Sequence, residues 1–108
     1  MSVNLQVFDS KRSAELTREL NVHFRCGRDD IQSISMTAKN LIHIFTDCLH
    51  FEITGIAGQR FQVDDVVLAI RACRHWYDDD SYEGEKLDAI RKMCEKAIAV
   101  NEDKLFYS

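Results

Sequence analysis

At 108 residues, 45% hydrophobic and 30% charged, the chain has the balance of one globular domain with a modest core. A formal net charge of −4 argues against gripping nucleic acid by bulk electrostatics. No apolar run approaches the roughly 18 residues a membrane span needs, and Met1–Asp9 lack the basic-then-apolar order of a secretory signal.

There is no proline, where a chain of this length averages about five, which suits long uninterrupted helices. Val3-Asn4-Leu5-Gln6-Val7 alternates apolar and polar, as a short strand or an ordered arm would. Asp9 and Ser10 offer capping oxygens to a short amphipathic helix over residues 13–20, with Leu16 and Leu20 one turn apart. Residues 21–28 break the pattern, and Gly27 permits a sharp turn.

From Ile31 the apolar positions run Ile31, Ile34, Ala38, Leu41, Phe45 and Cys48, at alternating spacings of three and four. That spacing predicts one long central helix from about Ile31 to about Ile56, with Ile42 and Leu49 widening its apolar stripe. A competing reading is a β-hairpin over residues 49–63. Leu49, Phe51 and Ile53 alternate, as do Phe61 and Val63, with Gly55 and Gly58 between them.

A short extended connector then ends in the capping carboxylates Asp64 and Asp65. Val63, Val66, Ile70, Cys73 and Tyr77 mark the apolar face of a further helix, flanked by Val67 and Trp76. Asp78, Asp79 and Asp80 suit the start of the next helix, and Asp80 with Glu83 has capping-box spacing. The last predicted helix, over about 81–106, carries Leu87, Ile90, Cys94 and Ala97.

Cys26, Cys48, Cys73 and Cys94 match no zinc-finger or CxxC spacing and read as core thiols in a reducing compartment. Cys48/His50 and Cys73/His75 lie two residues apart, on different sides of the predicted helices. Neither pair clamps one ion, and no metal is expected. There is no Gly-rich phosphate loop, nucleophile elbow or HExxH, so the chain reads as non-enzymatic, without cofactor or small-molecule substrate. His43 and Asp47, four apart, read as an ordinary surface pair.

The segment from Phe61 to Arg71 resembles the junction of second loop and third helix in histone-fold proteins, with Asp65, Val66, Ala69 and Ile70 on the family's Asp-Val-x-x-Ala-Ile pattern. Counting back without gaps, the family's long-helix positions fall on Ala38, Leu41, Ile42, Phe45 and Leu49, all apolar. The resemblance covers about residues 10–77 and is most similar to TBP-associated transcription factor subunits. Gly58 and Arg60 stand where core histones carry an arginine and a threonine.

The resemblance implies an all-α histone fold in a single domain, 1–108, with an extra C-terminal helix. It implies a subunit that pairs with another histone-fold chain, as hetero- or homodimer, in a nuclear transcription or chromatin complex. Leu41, Ile42, Phe45, Leu49, Val67 and Ile70 would form the pairing seam, because a stripe that broad needs a second chain to cover it. Arg25, Arg28 and Arg60 would be the loop cations nearest a duplex, reached only through the dimer. The alternative is a small acidic inhibitor or immunity-type protein from the cytoplasm of a microbe or from a phage. It would meet a basic target through Asp78, Asp79, Asp80, Glu83 and Glu85.

Overall fold

The computed structural model describes residues 1–55 and 58–108. It contains β1 (Ser2–Val7), α1 (Ser10–Leu20), β2 (Ile34–Thr37), α2 (Ala38–Ile42), β3 (Arg60–Gln62), α3 (Val63–Cys73), α4 (Tyr82–Ala99) and β4 (Lys104–Tyr107). A π-helical turn, His43–Cys48, extends α2, and a 3-10 turn, Arg74–Trp76, extends α3. The strands form one antiparallel sheet in the order β2-β1-β4-β3. This overturns the all-α histone fold: the chain is α+β.

The sheet follows from alternation. Val3, Leu5 and Val7 are buried on one face of β1 while Ser2, Asn4 and Gln6 turn away. The register Val3↔Met36, Leu5↔Tyr107, Val7↔Leu105 and Phe61↔Leu105 sets the apolar residues of all four strands, Phe106 apart, on that same face. α2, the π turn, α3 and α4 cover it. α3 contributes Val63, Val66, Ile70 and Cys73, and α4 contributes Leu87, Ile90, Met93, Cys94 and Ala97. The floor under the helices is therefore the chain's own sheet, where a second chain was expected.

The predicted helix from Ile31 to Ile56 divides. Residues 34–37 are β2, and Thr37 then caps α2, its Oγ1 accepting from the Asn40 amide at 3.1 Å. The π turn closes with the Leu49 amide donating to the Ile44 carbonyl at 3.0 Å, and His50 at φ 61° ends it. Ile56, where the expected helix ended, lies outside the described residues. The hairpin over 49–63 is corrected too: residues 49–55 hold no strand, and β3 pairs with β4 instead.

At the other end, α-helix stops at Cys73, short of Tyr77. Ser81, and not Asp80, caps α4, its Oγ accepting from the Gly84 amide at 3.0 Å. A side chain on Gly84 would strike the Asp78 carbonyl, which explains glycine in this first turn. The expected C-terminal helix to 106 ends at Ala99. Asn101, at φ 62°, turns the chain back into β4.

α1 stands apart from this core. Asp9 caps it, its side chain accepting from the Arg12 amide at 2.9 Å, yet its only buried residue is Ser13. Hydroxyls hold the returning segment to it. Ser13 Oγ accepts from the Cys26 amide at 3.0 Å, and Thr17 Oγ1 from the Phe24 amide at 3.0 Å. On the sheet's outer face Phe8 and Phe106 meet edge to face, 5.6 Å between ring centres.

Candidate functional site

A cleft of about 370 Å³ opens between the π turn and α3. Asp47 and His50 line one wall, Ala69, Ala72 and Trp76 the other, with Cys48 and Cys73 among the remaining lining residues. The wide π turn carries Asp47 and Cys48 to this position, a common use of such turns.

Trp76 is 75% exposed, an unusual placement for the chain's one tryptophan. Its exposure is built from α4. Arg74 Nε donates to Asp88 Oδ1 at 2.8 Å, and the same guanidinium donates to the Tyr77 carbonyl at 2.7 Å and to Asp79 at 2.6 Å. Those bonds brace the 3-10 turn at the helix end, where Trp76 stands exposed with its ring 4.9 Å from that of His75. Arg74 in turn holds the Asp88 carboxyl below the ordinary carboxylate range.

Burial pushes Cys48 and Cys73 upward, so both stay protonated near neutrality. The Tyr77 phenol, hydrogen-bonded to Cys48 and partly desolvated, is pushed up to about 12. Cys94, deep in the core, is pushed to about 12 by burial. All four cysteines are free, Cys26 half-buried, and no group of three metal-ligating side chains converges among the described residues.

Beside the cleft His43 bridges two elements. Its Nδ1 lies 2.9 Å from Asp47 and its Nε2 2.8 Å from Glu83 on α4, a partner sequence spacing did not suggest. The hydrogen bonds to Asp47, then to Glu83, raise its pKa above the ordinary 6.5. The bond to His43 lowers Glu83 below its ordinary 4.5. A raised histidine contributes stability that is full below the unfolded value and lost as pH rises through the folded one. A depressed carboxyl contributes above its unfolded value and loses it as pH falls through the folded one. The bridge is therefore strongest between the lowered Glu83 and the raised His43. An NMR titration of the His43 ring should give a midpoint above 6.5 that drops in Asp47→Asn and in Glu83→Gln. A midpoint insensitive to both would remove the bridge.

The remaining sequence-predicted residues scatter. Leu41, Phe45, Leu49 and Ile70 are buried in the chain's own core and Val67 packs half-buried against it, whereas Ile42 is 47% exposed. Arg28 is engaged by Asp30 through two bonds of 2.8 and 2.7 Å. Arg60 lies 4.7 Å over the Phe8 ring, and Arg25 lies against Gly58. Asp78 and Asp80 are exposed, whereas Asp79 pairs with Arg74 and Glu83 with His43. Two features escaped the sequence reading. Trp76 was legible only as a flank of an apolar stripe, and Glu102, 6% exposed, gave no signal. Compared with protein-family models, with curated proteins and with solved structures, the chain matches none.

Proposed function

We propose that this chain is a non-enzymatic binding protein that holds a basic target protein against the Trp76 cleft, in the manner of a small acidic inhibitor. The observation that carries the reading is the exposed indole, held out by the Arg74 network with carboxylates around it. An exposed aromatic beside a cleft of mixed polarity is the form of an interface anchor. Asp47 on one wall and Asp78 and Asp80 just beyond Trp76 supply negative charge at the rim, which steers a cationic partner and rejects acidic ones. The neutral thiols give the cleft a weakly polar interior in place of reactive chemistry. A nuclear pairing subunit finds less support, because the residues of its seam are already packed within one chain.

The test is calorimetry on a partner recovered by affinity enrichment. Trp76→Ala should weaken binding by about 2 kcal/mol or more, roughly 30-fold. Asp78→Asn with Asp80→Asn should slow association and flatten its salt dependence. A partner that binds Trp76→Ala as tightly as the parent chain sinks the proposal.

A further inference from the structure

We propose a second docking surface: the open edge of β2 takes an extended acidic segment of a partner protein as a fifth strand. This surface shares no residue with the Trp76 cleft, and the proposal does not rest on that reading.

Hydrogen-bond parity opens the edge. The Asn4 amide donates to the Ser108 carbonyl at 2.9 Å and the Ser108 amide returns the bond to Asn4 at 3.0 Å. Asn4 therefore faces β4, and its neighbours Val3 and Leu5 face β2, where they oppose Met36 and Ile34. The backbone groups of Ser35, and the amide of Thr37, consequently point away from the sheet. β2 is the outer strand on that side, and no backbone or side-chain partner takes the Ser35 groups among the described residues. The strand reads Ile-Ser-Met-Thr, without the charge, proline or bulge that usually protects an edge.

A groove of about 360 Å³ runs between this edge and α4. Ile31, Ile34, Ala89 and Met93 supply its apolar lining, and Lys86, Lys92 and Lys96 line it from the helix. None of the three lysines is ion-paired among the described residues, and Lys86 only lies over the Tyr82 ring at 5.6 Å. The ten helical steps from Lys86 to Lys96 span about 15 Å. That is the length of four or five residues of extended chain. An added strand would bond to Ser35 and turn every second side chain toward this basic row, which selects acidic residues at those positions.

Charge also chooses among occupants. Pairing β2 with β2 of a second copy would set two lysine rows against each other. A polyanion such as nucleic acid would meet the lysines but leave the directed backbone groups unused, on a chain of net charge −4.

The probe is an acetylated seven-residue peptide alternating glutamate with valine, titrated into the full chain at low salt, with its lysine-for-glutamate counterpart as control. Binding of the glutamate peptide should exceed the control at least tenfold, and saturation should slow Ser35 amide exchange at least tenfold. Lys86→Glu with Lys92→Glu and Lys96→Glu should reduce binding tenfold or more. Ser35→Pro should keep the fold, since its amide faces solvent, and abolish binding. Four results would overturn the proposal: no binding; binding without Ser35 protection; Ser35 protection from self-association alone; or a duplex oligonucleotide that outcompetes the peptide.

Discussion

Phe45→Ala is expected to lower the free energy of unfolding by about 3–5 kcal/mol in a urea titration. The ring is fully enclosed, with 0% exposure, in the middle of the π turn. Its centre lies 4.6 Å from that of Phe61 on β3 and 6.1 Å from that of Phe51, and Phe61 continues to Tyr107 at 6.2 Å. The aromatic row thus joins the helical layer to two strands. Truncation removes the transfer energy of the ring and leaves a void whose walls are held by the sheet register, so collapse cannot fill it. Ile42→Ala, one turn away on the exposed side, should cost below about 1 kcal/mol. Similar losses from the two variants would show that the row does not hold the layers together.

Glu102→Ala is expected to cost about 2–3 kcal/mol and to loosen one part of the molecule before the rest. Glu102 sits in the turn between α4 and β4. Its carboxylate accepts from the Ser10 amide at 3.1 Å and from the Ser10 hydroxyl at 2.8 Å, with Arg28 at 3.9 Å. These are charge-assisted bonds in a nearly buried setting, and they fasten the first turn of α1 to the core. α1 buries little of its own, so this carboxylate is its main anchor beyond the hydroxyl contacts to residues 24–26. Hydrogen exchange should therefore quicken across α1 while α4 stays protected. Glu102→Gln keeps the shape with a weaker acceptor and should fall between. Uniform loss of protection across α1 and α4 would refute the local role.

Local periodicity was legible where one element buries one face. α3 begins at Val63 with Asp64 and Asp65 in its first turn, and the alternation of residues 3–7 is a strand. It failed where spacing crossed an element boundary. Ile34 and Ala38 are four apart, as on a helix, but one lies in β2 and the other opens α2. Ser35 and Thr37, polar between apolar neighbours, carried the competing strand signal. Lys104–Tyr107 read as helix because nothing nearby announces a strand whose partner lies at residues 5–7. The histone resemblance rested on Asp65, Val66, Ala69 and Ile70, which do open a helix. Many unrelated helices open in the same way. Of the expected seam, Leu41, Phe45 and Leu49 pack in one core with Val3, Leu5, Phe61 and Leu105 of the chain's own sheet, whereas Ile42 stays exposed. The exposure of Trp76 was not legible, since it depends on Arg74 meeting Asp88 fourteen residues away.

The two middle strands of the sheet come from segments about a hundred residues apart. A nascent chain leaving the ribosome therefore carries its helices into solution before their floor exists. Until residues 104–107 emerge, the apolar sides of α3 and α4 stay open to water and to other polypeptides. A chaperone that shields such surfaces during translation should raise the yield of this protein more than that of a helical bundle of equal length.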